Sequence, residues 1–130
     1  MKSTPRLSEA EWEVMKLVWR RTPATSTASE LVAELAGPTG WSEATVKTLL
    51  NRLHKKGALG FTKEGKSYLY FPAVSEEECR SAASDSFLNR VFDGSLSPLL
   101  AHFVSSKKLS LTDIGELERL LEKTKQKENQ

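Results

Sequence analysis

A chain of 130 residues, 38% apolar and with a net charge of +2, can hold one domain, or a domain of about 75 residues with an appendage too short to bury a full core alone. Its single cysteine, Cys79, excludes an intramolecular disulfide framework and any cysteine cluster for a metal, and points to a reducing cytosol. No run approaches about 18 consecutive apolar residues and the start, MKSTPRLSEAEWE, lacks an apolar signal core, so a soluble cytoplasmic protein with no direct membrane association is expected.

The charge is unevenly spread. Up to Val74 there are 11 Lys or Arg against 7 Asp or Glu, and from Ser75 onward 8 against 10. Between Ser42 and Lys66 six cations face only Glu43 and Glu64, which concentrates the attraction for a polyanion in one stretch.

In chain order, Ser8 with Glu11 forms a capping box that opens a first helix running to about Arg20 or Arg21, with Leu7 placed as a staple. Trp12, Met15, Val18 and Trp19 form its expected buried stripe, so both tryptophans are read as core rather than as base-stacking groups. Thr22-Pro23 breaks the helix, Ala24-Thr25 leaves room for a short strand, and Ser26 or Thr27 caps a second helix with Leu31, Val32 and Leu35 inward. Gly37-Pro38 is expected to stop it. Ser42 then caps a third helix, and Trp41 is read as a plug between helices.

In the third helix Val46, Leu49, Leu50 and Leu53 repeat at i, i+3, i+4 and i+7, the spacing of a buried stripe. Ala44, Lys47, Thr48, Asn51, Arg52 and Lys55 point the other way, a face without a carboxylate among them. Such a face suits a duplex major groove, where Asn pairs with adenine and Lys or Arg with guanine or phosphate. Gly57 ends the helix behind Lys55-Lys56. Two strands follow, from Leu59 to Thr62 and from Tyr68 to Phe71, around the turn Lys63-Glu64-Gly65-Lys66, which reads as a wing laying Lys63 and Lys66 on the phosphates. The fold class is therefore mainly α with a small β-hairpin, a winged helix-turn-helix over residues 1–74. The DNA-binding residues it nominates are Ser42, Ala44, Thr45, Lys47, Thr48, Asn51, Arg52, Lys55, Lys63 and Lys66.

The order LSEAEWEVMKLVW, TSTASELVAEL, WSEATVKTLLNRLHKKG and then the wing resembles the penicillinase repressor family, which includes the regulators of β-lactamase, of methicillin resistance and of copper export. The resemblance covers nearly the whole chain and is most specific in the E-W-x-V-M and T-V-K-T-L-L-x-R-L-x-K-K-G helices. It implies a dimeric winged-helix repressor with Lys47, Thr48, Asn51 and Arg52 at the DNA, positions that the helical wheel reaches on its own.

Residues 75–130 read as a helical dimerisation segment. Ser75 with Glu78 caps a helix carrying Ala83, Phe87, Leu88 and Val91, ended by Gly94. The next carries Leu96, Leu99, Leu100, Phe103 and Val104. After Lys107-Lys108-Leu109, Ser110 with Asp113 caps a last helix with Ile114, Leu117, Leu120 and Leu121. Three amphipathic helices in about 55 residues expose more apolar surface than they can cover among themselves, so a homodimer on a pseudopalindromic operator is expected. The tail from Lys123 to Gln130 is expected to fray.

His54 and His102 are too scattered for a metal site, and no catalytic triad or phosphate loop appears, so neither an enzyme nor a cofactor is expected. His54 falls on the flank of the third helix, within reach of a phosphate, and reads as a plain surface histidine in preference to such a contact. The copper-responsive branch carries paired cysteines near its C-terminus and this chain has no such pair, which argues against direct copper sensing. In the β-lactam branch a membrane-bound sensor protease triggers cutting at an Asn-Phe bond, and the resemblance places the corresponding bond at His102-Phe103, where Phe is kept and Asn is not. The alternatives left open are a winged helix used as a protein-interaction module and a small-molecule-responsive regulator.

Overall fold

The computed structural model describes residues 4–129. The element order is α1(Glu9–Arg21), α2(Ala28–Thr39), α3(Glu43–Lys56), β1(Leu59–Glu64), β2(Ser67–Pro72), α4(Glu76–Phe92), α5(Leu96–Ser105) and α6(Leu111–Glu128). Two compact units result, one ending at Ser84 and one beginning at Asp85.

The first unit is a winged helix. Its α1 starts as expected, with Glu11 N–H donating to Ser8 Oγ at 3.2 Å and Ser8 N–H to Glu11 Oε1 at 2.7 Å. The buried face lies one residue round from the expected stripe: Val14, Met15, Leu17 and Val18 are interior, while Trp12 and Trp19 are half-buried beside them. Indoles suit the edge of a core, because the N–H needs a partner. Trp19 Nε1 finds it in the Val74 carbonyl at 3.0 Å.

Thr27 caps α2 with Glu30 in a full capping box, and Leu31 and Leu35 point inward. The helix does not stop at Gly37-Pro38 but runs through both to Thr39, and Gly40, at φ +70°, ends it. Gly37 lacks the Cβ that contributes to the clash between a proline ring and the residue before it, which eases the helical conformation there. Ser26 lies just ahead of the cap, one residue past the short strand expected at Ala24-Thr25. It forms a two-way backbone bridge with Tyr70 at 3.0 and 2.8 Å.

Strands β1 and β2 pair antiparallel from Leu59 opposite Pro72 to Glu64 opposite Ser67. The turn is thus Gly65-Lys66, with Gly65 at φ +62°, a first central position that favours glycine. Lys63 sits in the strand, opposite Tyr68, and not in the turn. Phe71 folds across Gly60, where an added Cβ would meet its ring at 2.5 Å. The core of this unit joins Val14, Met15, Leu17 and Val18 to Leu31, Leu35, Val46, Leu49, Leu50, Leu53, Ala58, Leu59 and Tyr70.

The opening turns of α4 fall in the first unit, where Cys79 is buried, so that unit extends beyond residue 74. Ser75 accepts from the Glu78 amide at 3.0 Å and donates its hydroxyl to the Glu78 carboxylate at 3.1 Å. In the second unit neither α5 nor α6 contains a buried residue. Ser110 and Asp113 form the capping box of α6. That helix continues to Glu128 instead of fraying at Lys123; the final residue of the tail, Gln130, lies outside the described residues.

Candidate nucleic-acid interface

Helix α3 is held at both ends and along one side. Ser42 Oγ accepts from the Thr45 amide at 3.2 Å, and Gly57, at φ +84°, closes the C-terminus. Val46, Leu49, Leu50 and Leu53 are each at most 4% exposed. At about 1.5 to 3 kcal/mol per buried aliphatic side chain, this stripe fixes the rotation of the helix about its axis. The opposite face is open: Ala44, Thr45, Lys47, Thr48, Asn51, Arg52 and Lys55 are all exposed.

Those side chains differ in what they have free to offer. Thr48 donates its hydroxyl to the Ala44 carbonyl at 2.9 Å, which leaves its methyl and its lone pairs outward. Ser42 and Thr45 share a hydroxyl contact of 3.1 Å. Lys47 Nζ lies 3.0 Å from the Glu43 carboxylate. An acid therefore does border the cationic face, at the first residue of the helix.

Lys56 behaves unlike Lys55. Its ammonium turns back to donate to the Arg6 carbonyl at 2.7 Å and to the Glu11 carboxylate, which is buried. Burial acts to raise the Glu11 pKa, but the hydrogen bonds from Lys56 and Ser8 and the Lys56 charge outweigh it and hold the carboxyl below its usual range. The capping residue of α1 thus also pins the C-terminal end of α3.

The wing meets α3 through aromatic rings. His54 lies against Phe61 and Phe61 against Tyr68, each pair with centroids 4.6 Å apart, so His54 is more than a plain surface residue. Lys63 Nζ stands 5.8 Å from the centre of the Tyr68 ring. Between the start of α2, α3 and the wing runs a cleft of about 400 Å³, lined by Thr27, Ala28, Ser29, Lys47, Asn51, Lys66, Ser67, Tyr68 and Tyr70. It brings together Lys47 and Asn51 from α3 with Lys66 from the turn. Burial, chiefly, raises the Tyr70 pKa, with Tyr68 adding to the rise and Lys47 opposing it. The phenol, protonated at neutral pH as any tyrosine is, offers an O–H donor in the cleft wall.

Of the residues nominated by sequence, Ala44, Thr45, Thr48 and Arg52 gather with Leu49 around a separate shallow depression. Lys55 and Lys63 line neither hollow. Sequence reasoning passed over Thr27, Ser29 and Tyr68. Strand alternation was the available signal for Tyr68, because it places Lys63, Tyr68 and Tyr70 on the wing face that carries Phe61.

Among the described residues no helix is long and apolar enough to cross a membrane. The family model described as penicillinase repressor matches residues 7–123. The chain belongs to the penicillinase repressor family. Along its full length it is 38% identical to the full length of the penicillinase repressor of Bacillus licheniformis. It is 35% identical, over 92% of this chain and 96% of the relative, to the methicillin resistance regulatory protein MecI of Mammaliicoccus sciuri. Among solved structures, the monomeric form of Bacillus licheniformis BlaI in complex with the blaP half-operator is 41% identical, covering 60% of this chain and 93% of that one at a TM-score of 0.51. The isolated DNA-binding domain of BlaI matches over the same shares at a TM-score of 0.53. This is a family of winged-helix DNA-binding repressors and not of enzymes.

Proposed function

We propose that the chain is a homodimeric transcriptional repressor that acts in the cytoplasm by occupying a pseudopalindromic operator, with α3 of each copy in the major groove. The observation that carries this reading is the division of α3 into a fully buried aliphatic side and an open side of Lys47, Thr48, Asn51, Arg52 and Lys55. The complex of the related BlaI, in its monomeric form, with the blaP half-operator supports it. Lys66, in the turn between β1 and β2, neutralises backbone phosphate beside the groove, and Lys63 steadies the wing over Tyr68. Asn51 and Arg52 read base edges, Asn51 through adenine and Arg52 through guanine. Ser42, Ala44 and Thr45 form the leading end of the helix, where its closest approach to the bases falls.

The exposed apolar side chains of the second unit support dimerisation there. Phe87, Val91, Leu96, Phe103, Ile114, Leu120 and Leu121 are at least 36% exposed in the single chain, and Leu99, Leu100 and Leu117 are half-buried. A second copy of the same helices offers a matching apolar surface. Release follows loss of the dimer, and a cut between His102 and Phe103 by a membrane-bound sensor protease achieves that. This bond lies inside α5 with both side chains exposed, so cleavage requires one turn of that helix to unwind first.

Fluorescence anisotropy with the full chain tests the binding step. Asn51→Ala is expected to weaken binding to a duplex selected from a randomised pool by about 1 to 3 kcal/mol while scarcely affecting a random duplex. Equal losses on both would reduce Asn51 to a positioning role. Complete absence of salt-dependent duplex binding by the unaltered chain would remove the repressor reading. Intact mass after incubation with a candidate sensor under inducing conditions, with no product ending at His102, would remove the cleavage step.

A further inference from the structure

The cationic face of α3 is bordered at its first turn by an acid. Glu43, the first residue of the helix, holds its carboxylate 3.0 Å from Lys47 Nζ one turn later, and the two side chains are 64% and 57% exposed. Of the cations on this face, Lys47 is the one that also lines the cleft, together with Asn51, Lys66 and Tyr68. For a protein that only had to hold a polyanion, a carboxylate in this place works against binding in two ways. It neutralises a cation that would otherwise displace a counterion, and it puts negative charge at the end of the helix that approaches the bases first. An exposed pair of this spacing adds little to helix stability in return, although an acid at a helix N-terminus does suit the dipole.

We propose that Glu43 is a specificity-determining residue, which keeps Lys47 from random duplex and yields it only to a sequence that gives the carboxylate a donor of its own. The donor chemistry that fits is the exocyclic amino group of cytosine, whose N–H donates to a carboxylate in the major groove. The freed Lys47 ammonium then donates to guanine or to a phosphate oxygen. In most registers on random DNA no cytosine amino group stands opposite the carboxylate, the ion pair persists and phosphate repulsion adds to it, so discrimination comes from a repulsive element as much as from an attractive one. The inference rests on the reading that α3 enters the groove.

The test uses the full chain, a duplex selected by binding from a randomised pool, and a random duplex of equal length, each titrated at several salt concentrations. Glu43→Gln is expected to tighten binding to the random duplex several-fold and to steepen its salt dependence by about 0.9 in the log–log slope, the share of one added phosphate contact. The selected duplex gains less or loses, so the ratio of the two affinities falls by about threefold to tenfold. In a Lys47→Met background the same Glu43→Gln change is expected to leave the random-duplex slope where it was, since the cation it frees is gone. If Glu43→Gln leaves the random-duplex affinity and slope unchanged, or weakens both duplexes equally with a lowered melting temperature, the pair is a helix-stabilising contact and the proposal fails. That failure is distinct from failure of the groove reading, in which the unaltered chain itself shows no salt-dependent binding and Asn51→Ala changes nothing.

Discussion

The two units of this chain carry the same kind of sequence pattern and meet different ends. The i, i+3, i+4, i+7 stripe of α3 is closed off inside its own chain, with Val46 and Leu53 at 0% exposure. The stripe of α5 is open, with Leu96 at 54% and Val104 at 61%. Periodicity therefore reports that a face wants cover, and nothing about which chain provides it. In the first unit, α1, α2 and the wing approach α3 from several directions and complete a core. In the second, α5 and α6 together contain no buried residue.

The largest expected effect sharpens this contrast directly. Leu53→Ala, at a site with no exposure, should destabilise the first unit by about 2 to 5 kcal/mol in urea unfolding followed by tryptophan emission. An effect below about 1 kcal/mol would mean that the core of this unit tolerates a void as an unpacked one does.

Next comes the ion pair that links α1 to α3. Glu11→Gln should cost about 2 kcal/mol near neutral pH, the worth of a hydrogen bond to a charged group. Because the folded carboxyl titrates below its usual range, its contribution is full above that range and is lost as pH falls through the lowered value. The variant should accordingly be less stable at pH 7 and lose less further stability on acidification. Parallel acid limbs for the two proteins would show that Glu11 is not the group responsible.

The second unit is tested by concentration instead of by denaturant. Leu121→Ala, at a side chain 60% exposed in the single chain, should leave the unfolding of the first unit unchanged and weaken self-association about tenfold per dimer-buried side chain, read by sedimentation velocity across a dilution series. If the unaltered chain is monomeric at every concentration, the comparison between the units loses its meaning. The smallest effect is expected from Lys66→Ala in the wing, which should lower the salt slope of duplex binding by about 0.9 without favouring any sequence.

Much of this was legible in the residues because each signal was local. The α3 stripe, the Ser8–Glu11 and Ser110–Asp113 boxes and the Gly57 cap all lie within one or two helical turns of sequence. What escaped depended on partners far along the chain. Val14 and Leu17 displaced the tryptophans from the interior because α3 and the wing reach α1 from that side, and only assembly reveals it. Lys63 moved from turn to strand because pairing extended to Glu64 opposite Ser67, which the propensities of charged residues do not announce. Glu11 read as a capping residue and no more, since its bond to Lys56 spans 45 positions. The charge of the tail suggests fraying, whereas lysine and glutamate are good helix formers and α6 propagates through them to Glu128. Glu43 lies off the cationic face by angle on a helical wheel, yet its side chain reaches along the axis to Lys47.

The indoles of Trp12 and Trp19, 5.8 Å apart and edge to face, are close enough for their electronic transitions to couple. They give α1 an optical signature in the near ultraviolet that depends on ring geometry and not on backbone helicity. The second indole also holds the Val74 carbonyl, just ahead of α4. A spectroscopist therefore has an intrinsic gauge at the doorway to that helix, one that needs no label and can be followed while DNA, protease or a second copy is added.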